Sequence, residues 1–229
     1  MAREVTAHEL DVRTPLPAHR QATPLAQALA ATGDRWTLLI VLALSDGTVR
    51  LNTLRNRLPG VSSAVLDHHV RQMVSLGLLS RRRFREMPPR VELALTESGA
   101  ALLPIAGALA RWGMRHRWTR QSGCDRVDAD AILRQLPALL EDATLPAEGV
   151  LEAVVDSDEH PVRHRFKIAD GRLEPDGGPP PAKSPRASVS IAGDVAAWEA
   201  ALGPRRDYAG LQLSGQKRLA EQVFAALPR

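Results

Sequence analysis

The stretch VSSAVLDHHVRQMVSLG, residues 61–77, decides how the rest of this chain is interpreted. Its apolar residues recur at helical spacing, which predicts an amphipathic helix. The buried stripe of this helix would consist of Leu66, Val70, Met73 and Val74. The opposite side is polar, and its role is the question that the flanking sequence must answer.

Three chemical roles are open for this polar side: a metal site, an acid/base pair, or a surface that contacts DNA bases. Metal ligands on a helix usually lie three or four residues apart, whereas adjacent histidines point about 100° apart. Asp67 and His68 are also adjacent, which places them poorly as an acid/base pair. His69 falls near the buried stripe and is interpreted as a structural histidine, whereas His68 points outward.

The elements around residues 61–77 favour the third role. Pro24 begins a short helix that Gly33 ends, and Asp34 is expected to cap a buried helix over residues 35–47. The other predicted elements are a two-turn helix over 52–60, a β-hairpin over 78–96 with a turn at Pro88-Pro89, and a helix over 97–118. Three helices followed by a basic hairpin are typical of a winged helix-turn-helix, whose second motif helix enters the major groove.

Candidate DNA-contacting residues follow from this arrangement. The residues expected to face bases are Ser62, Ser63, Ala64, Asp67, His68 and Arg71. The residues expected to contact the phosphate backbone from the hairpin, or wing, are Arg81, Arg82, Arg83, Arg85 and Arg90. An isolated charge run is more often a solvated surface, but the position of this one after a helix-turn-helix favours phosphate contacts.

The distribution of charge predicts two domains. Residues 1–122 contain 17 Arg and no Lys against 9 acidic residues, a net charge of +8, whereas residues 123–229 have a net charge of −4. A GC-rich genome would explain the lack of Lys but not the difference in sign. One half is therefore expected to face phosphate and the other to have a different partner.

Several function classes are disfavoured by composition. The single Cys124 excludes an internal disulfide and a cysteine-rich zinc site. No apolar run approaches the ~18 residues that span a bilayer, and the polar start lacks a signal peptide, so we expect a cytoplasmic protein. Because the motifs of phosphate-binding loops and nucleophile elbows are absent, we expect no enzyme, no cofactor and no metal.

Residues 23–118 resemble the HxlR family of winged-helix transcription regulators. The resemblance is carried by TGDRWTLLIVLAL, LRNRLPGVSSAVLDHHVRQM, LGLLSRR and PPRVELALTESGAALLPIAGALARWG, in the order and spacing of the family. It implies a homodimer formed by the first and last helices of the domain, on double-stranded DNA with two half-sites. The residues expected at the dimer interface are Leu102, Leu109 and Trp112.

Two positions depart from this family. Members typically carry a Cys where this chain has Thr23, so the oxidant sensing of some members does not transfer. The family usually has Ser or Thr at the position of Asp67 and Arg at that of His69. Asp67 would repel phosphates, although a carboxylate can accept a hydrogen bond from cytosine N4.

The second half, roughly residues 128–229, resembles the sterol-carrier fold through HRFKIADGRLE, ASVSIAGDVAAWEAAL and LQLSGQKRLAEQVFAAL. The resemblance implies a sheet packed against helices around an apolar tunnel. Residues that line such a tunnel or simply fill a core are Phe166, Trp198 and Phe224. Asp170-Gly171 predicts a hairpin turn, a helix is expected near 129–142, and His160 and His164 are interpreted as surface residues.

We therefore expect an α+β protein: a flexible arm over 1–22, a winged helix-turn-helix domain over 23–120, a linker over 121–128 and a sterol-carrier-like α/β sandwich over 129–229. The expected function is a ligand-responsive, homodimeric DNA-binding regulator that acts as a repressor, with a small hydrophobic effector. The alternatives are a partner-binding protein, or a scaffold repurposed to bind or transform a hydrophobic molecule without specific DNA binding. The ligand-pocket candidates, beyond the three aromatic residues above, are Trp36, Trp112, His116 and Trp118.

Overall fold

The computed structural model describes residues 23–84, 90–118, 127–146, 148–156, 161–176 and 187–228. The predictions for the arm over 1–22, Arg85, the Pro88-Pro89 turn, Cys124 and His160 lie outside these residues. The chain divides into two compact units, Met1–Asp34 and Arg35–Arg229. None of the described helices is long and apolar enough to cross a membrane.

In the first unit, helix α1 spans Pro24–Thr32, as predicted. The Thr23 hydroxyl accepts a hydrogen bond from the amide of Ala26 at 3.1 Å, and Pro24 occupies the first turn, where a missing N–H costs nothing. Leu25 and Leu29, one turn apart, leave 68% and 47% of their surface exposed.

The second unit begins with a winged helix-turn-helix arrangement. Its elements are α2 (Thr37–Ala43), β1 (Val49–Arg50), α3 (Leu51–Arg57), α4 (Ser63–Ser75), β2 (Leu79–Phe84), β3 (Arg90–Leu95), α5 (Glu97–Ala100) and α6 (Leu103–His116). The three strands form an antiparallel sheet in the order β1-β3-β2. Apolar side chains from α2, α3, α4 and the sheet, including Ile40, Leu54 and Leu66, form one buried core.

The remaining elements surround a larger sheet. They are α7 (Ala129–Arg134), α8 (Leu136–Leu139), β4 (Gly149–Asp156), β5 (Val162–Ala169), β6 (Arg172–Pro175), β7 (Val189–Asp194), α9 (Val195–Leu202), β8 (Gln212–Gly215) and α10 (Lys217–Ala226). The strand order is β6-β5-β4-β7-β8, and all neighbours are antiparallel except β4 and β7. The predicted turn between β5 and β6 is confirmed, because Asp170 and Gly171 have φ angles of 51° and 74°, as a tight hairpin requires.

Two predicted helices are broken in the structure. The helix over 97–118 is divided into α5 and α6, and the helix near 129–142 into α7 and α8. Each second piece has a proline in its first turn, Pro104 in α6 and Pro137 in α8. Proline lacks the N–H that would continue the hydrogen bonds of the preceding helix, so the helix is interrupted there.

Two finer predictions were wrong. Helix α2 begins at Thr37, and the residue at its N-cap position is Trp36 and not Asp34. Its start is set by packing, since Thr37, Ile40 and Val41 are almost completely buried. Val74, which the helical spacing places in the buried stripe of α4, is 36% exposed.

Candidate nucleic-acid interface

Helix α4 presents an exposed polar face. The Ser62 hydroxyl caps it by accepting from the amide of Val65 at 3.4 Å. Its buried face consists of Leu66, Val70 and Met73, which contact the core below. The residues of the candidate base-facing set that are exposed are Ser62, Ser63, Ala64, His68 and Arg71.

Asp67, the sixth member of this set, is half-buried and ion-paired. Nη2 of Arg55 on α3 donates to Oδ1 and Oδ2 of Asp67 at 3.2 and 3.3 Å, and Nη1 of Arg55 donates to Asn52 at 3.2 Å. Both partners of the ion pair keep about a third of their side-chain surface exposed. The charge that would repel phosphates is therefore compensated within the protein, while the carboxylate oxygens keep lone pairs that can accept from a base.

The two adjacent histidines lie on different sides of α4. His68 is exposed, His69 is half-buried, and their rings meet edge to face with centroids 5.5 Å apart. Among the residues that the structure describes, no group of three or more His, Cys, Asp or Glu could hold a metal ion. The His68 side chain is therefore open to solvent, whereas His69 is partly enclosed by the protein.

The wing strands β2 and β3 carry arginines in different environments. Arg82 and Arg83 are exposed, whereas Arg81 is half-buried. The guanidinium of Arg90 lies over the ring of Phe84, 4.3 Å from its centroid, and its Nε is 3.4 Å from Glu92. Arg82 and Arg83 are therefore the most exposed of the described wing arginines, on opposite faces of β2, and Arg90 is engaged within the hairpin.

Helix α6 has an exposed apolar stripe. Ile105, Leu109 and Trp112 follow each other at spacings of four and three residues and are 56%, 54% and 48% exposed. The Trp112 ring contacts His116, with centroids 5.6 Å apart. Leu102 differs from the other predicted interface residues, because it is partly buried against the core of the winged-helix part.

The other side of α6 binds α8, which sequence reasoning missed. Arg111 is only 8% exposed. Its Nη1 donates to the carbonyl of Ala138 and to Glu141 at 2.9 Å, and its Nε lies 3.0 Å from Asp142. A Cβ on Gly107, one turn earlier, would lie 2.9 Å from Cβ of Ala138, so the two helices approach closely there. The sequence feature that could have indicated this contact is the pair of Gly107 and Arg111, a glycine and an arginine one turn apart on an otherwise apolar helix.

A cavity of about 820 Å³ lies between the end of α6, the segment after α9, and α10. Its aromatic residues are Trp118, Tyr208 and Phe224, of which the last two stack with ring centroids 4.3 Å apart. The described residues that line it are Met114, Trp118, Pro204, Arg206, Tyr208, Leu211, Leu213, Glu221, Phe224, Ala225, Leu227 and Pro228.

The ligand-pocket candidates from the sequence are not brought together. Only Trp118 and Phe224 line this cavity. Phe166 and Trp198 are 3% and 1% exposed and fill the core instead, where Nε1 of Trp198 donates to the carbonyl of Val154 at 2.8 Å. Trp36 lines a separate cavity of about 320 Å³ between the winged-helix part and α7, while Trp112 and His116 lie on the α6 stripe.

His164 is not on the surface, contrary to the prediction. Its side chain is 11% exposed, and its Nε2 lies 2.7 Å from Oδ1 of Asp130, which also pairs with the buried Arg134. Burial, followed by the positive charge of Arg134, lowers the pKa of His164 to about 4. Burial also lowers the pKa of Arg134, to about 10. His164 is therefore neutral at pH 7, and its Nε2–H donates to the carboxylate.

Comparison with known proteins concerns the winged-helix part. Residues 31–121 match the protein family described as HxlR-like helix-turn-helix. The HTH-type transcriptional regulator YvaP of Bacillus subtilis is 34% identical over 86 residues, which are 38% of this chain and 80% of that protein. A regulator of the same type from Methanothermobacter thermautotrophicus is 37% identical over 86 residues, 38% of this chain and 66% of that one. A solved MarR-family regulator from Porphyromonas gingivalis W83 is 30% identical, with a TM-score of 0.41, and the match covers 42% of this chain and 95% of that chain.

Proposed function

The chain belongs to the HxlR-like helix-turn-helix family of transcriptional regulators, and on that premise we propose that it is a homodimeric, DNA-binding repressor whose C-terminal half responds to a ligand. Relatives with the same helix-turn-helix are named as transcriptional regulators, which are not enzymes. The observation that carries the proposal is the exposed polar face of α4 beside the exposed wing arginines, Arg82 and Arg83.

The proposed division of labour on DNA follows from exposure. The face of α4 with Ser63, His68 and Arg71 enters the major groove, where side chains can reach base edges. Arg82 and Arg83 bind phosphates, which supplies affinity without sequence information. Arg85 and Arg81 are further candidates on the same wing, whereas the stacking of Arg90 on Phe84 gives Arg90 the role of stiffening the hairpin.

The proposed dimer uses the exposed apolar residues of α1 and α6. Leu25 and Leu29 on α1 and Leu109 and Trp112 on α6 leave about half or more of their surface in solvent. Exposed apolar side chains aligned on one helix face favour a protein partner. A second copy is the partner that would place two α4 helices on two half-sites of one operator.

The proposed C-terminal domain, residues 129–229, is sterol-carrier-like. Its support is the strand order β6-β5-β4-β7-β8 with helices covering the sheet, and a cavity large enough for a small molecule. The walls of this cavity include Met114 and Trp118, which lie at and just beyond the end of α6. An occupant would therefore contact the helix that also carries the proposed dimer stripe, which gives it a route to change DNA affinity.

Fluorescence anisotropy tests DNA binding. The wild-type protein, Arg83→Ala and the control Arg172→Ala, an exposed arginine on β6, are titrated into the DNA upstream of the gene and into a scrambled duplex. We expect preference for the upstream duplex and a steep dependence on salt. Arg83→Ala should reduce the slope of log K against log salt by about 1, and Arg172→Ala should not. Equal affinity for a wide set of duplexes, or no binding at low salt, would favour the repurposed scaffold.

A further inference from the structure

We propose that the cavity of about 320 Å³ beside Trp36 binds a neutral, flat aromatic molecule with an amide or lactam edge, which the side chain of Gln135 recognises. This cavity, called the junction cavity below, lies between α2, the turn that joins α3 to α4, and α7. Among the described residues, it shares no lining with the cavity of about 820 Å³ at α10. It is therefore a second site, beyond the function proposed above.

Apolar side chains form most of the wall of the junction cavity. Leu39 and Leu58 contribute aliphatic surface, and the indole of Trp36 contributes aromatic surface. A Cβ built on Gly60 would lie 3.9 Å from Cη2 of Trp36, which places the indole against the turn that leads into α4. A volume of about 320 Å³ is at the lower end of small-molecule sites, so it suits a ligand of about two fused rings.

The two arginines of the wall are paired within the protein. Nη1 and Nη2 of Arg57 donate to the two carboxylate oxygens of Asp46 at 2.7 and 2.6 Å. Nη2 of Arg134 pairs with Asp130, one turn earlier on α7. Because each guanidinium already has a carboxylate, neither is an unpaired cation that would select an anionic ligand.

The third charged group of the wall is Asp128. Its Oδ1 accepts from the amide of Ala131 at 2.9 Å and caps α7, and the residue is exposed to water. Three acids, Asp46, Asp128 and Asp130, therefore stand against two arginines at this cavity. This balance disfavours an anion, and acids that are already paired or solvated offer little to a cation, so a neutral ligand fits best.

Gln135 contributes the group that would orient such a ligand. It lies at the N-cap position of α8, but its side chain does not cap that helix. Within the part of the chain that the structure describes, its amide makes no side-chain hydrogen bond, and its polar atoms are open to solvent. An amide presents N–H donors beside a carbonyl acceptor, so it can form two parallel hydrogen bonds with the amide or lactam edge of a ligand.

The position of the junction cavity would connect its occupant to both parts of the chain. Leu58 and Gly60 belong to the turn of the helix-turn-helix, whereas Ala131 and Gln135 belong to α7 and its C-terminal end. A bound molecule would hold α7 against the turn that precedes α4, and would favour the arrangement in which the two are in contact. Any effect on DNA affinity, unlike binding itself, rests on the proposed function.

Isothermal titration calorimetry tests this site with three probes: 2-naphthamide, its N,N-dimethyl derivative, which keeps the acceptor but has no N–H, and the anion 2-naphthoate. The wild-type protein should bind 2-naphthamide about 10-fold more tightly than either of the other two. Gln135→Met, which has a similar shape but no amide, should remove the preference for 2-naphthamide over its dimethyl derivative. The control is Gln212→Met, which replaces an exposed glutamine of β8 that lines neither cavity, and it should keep the preference.

A second variant locates the bound molecule. Gln135 also lines a neighbouring cavity of about 250 Å³, whereas Ala131 lines the junction cavity and not that neighbour. Ala131→Leu should fill part of the junction cavity and weaken the binding of 2-naphthamide at least about 10-fold. Circular dichroism checks that the variant is folded.

Four outcomes would overturn the proposal. They are full affinity of Ala131→Leu for 2-naphthamide, equal affinity of the wild-type protein for the two amides, tighter binding of 2-naphthoate, and no binding of 2-naphthamide at about 1 mM. The DNA titration above is independent of this experiment. A protein that binds 2-naphthamide but no DNA would contradict the proposed function alone.

Discussion

Arg55 on α3 binds both carboxylate oxygens of Asp67 on α4 through one nitrogen, Nη2, at 3.2 and 3.3 Å. The acid on the candidate DNA-reading face therefore has its charge balanced by the preceding helix of the motif. The pair is about one third exposed on each side, so its contribution to folding is small. Its importance lies in the electrostatic potential at the surface of α4, because Arg55 offsets the negative charge of Asp67 that would otherwise repel an approaching phosphate.

Removal of Arg55 is expected to weaken DNA binding through Asp67. In Arg55→Ala the carboxylate is uncompensated, and we expect the affinity at low salt to fall about fivefold, or about 1 kcal/mol. Arg55→Ala with Asp67→Asn should regain most of the loss, which anisotropy measures. If the double variant binds as weakly as Arg55→Ala, Arg55 itself contacts phosphate and the pairing is incidental.

Local rules were sufficient for much of the winged-helix part and of the second sheet. The wing strands and the Asp170-Gly171 turn each depend on residues within one hairpin, and each predicted helix depends on the local spacing of its own apolar residues. The pairing of Arg55 with Asp67 could not be predicted in this way, because it depends on the angle between two helices.

Other features required the tertiary structure or a closer inspection of the strands. The cavity combines residues from α6, α10 and the segment between α9 and β8, so no short stretch indicates it. The burial of His164 could have been predicted from the sequence. Because every second residue of a strand points to the same face, His164 shares its face with Phe166 and Ile168, whose side chains are in the core. The breaks before α6 and α8 could also have been predicted from Pro104 and Pro137.

Two glycines on α6 are expected to respond oppositely to alanine. A Cβ on Gly107 would lie 2.9 Å from Cβ of Ala138, whereas a Cβ on Gly113 would meet nothing within 4 Å. Gly107→Ala should lower the free energy of unfolding by about 1–3 kcal/mol through overpacking, and Gly113→Ala should raise it by up to about 1 kcal/mol through helix propensity. Urea unfolding measures both. Stabilisation by Gly107→Ala would show that α6 and α8 separate readily.

The buried Arg111 should contribute to stability more than an exposed arginine. Arg111→Ala removes charge-assisted hydrogen bonds to Glu141 and to the carbonyl of Ala138, so we expect a loss of about 2 kcal/mol in the free energy of unfolding. The control is Arg115→Ala, an exposed arginine one turn later on α6, with an expected change within about 0.5 kcal/mol. Equal effects in the urea titration would contradict a specific role of Arg111 in joining the helices.

His164 should make stability depend on pH. Its pKa is about 4 in the folded protein, lowered from 6.5 by burial and then by Arg134. Between these values the unfolded chain binds a proton that the folded protein does not bind. The free energy of unfolding should therefore fall as the pH decreases from about 6.5 to about 4, by at most about 3 kcal/mol from this group. His164→Gln should flatten this part of the profile in urea unfolding at several pH values. An unchanged slope would assign the acid sensitivity to other groups.

The exposed stripe of α6 should determine the oligomeric state. Leu109 lies between Ile105 and Trp112, and the three side chains are about half exposed in the single chain. In a dimer that buries this stripe, Leu109→Glu would place a charge in an apolar interface without a partner, which is strongly unfavourable. Light scattering after size exclusion should then give the mass of one chain for the variant and of two chains for the wild type.

Val195→Glu is the matched control for this experiment. Val195 is 38% exposed on α9, away from the stripe, and an acid in the first turn of a helix is favourable. This variant should keep the mass of a dimer. A monomeric Leu109→Glu would then show that the α6 stripe forms the interface, and not that an added charge disrupts the dimer in general. Leu109→Glu should also lose most of its affinity for a two-site operator while keeping weak binding to a half-site, because the two α4 helices are no longer linked. A dimeric Leu109→Glu would move the interface to α1, where Leu25 and Leu29 are the residues to replace.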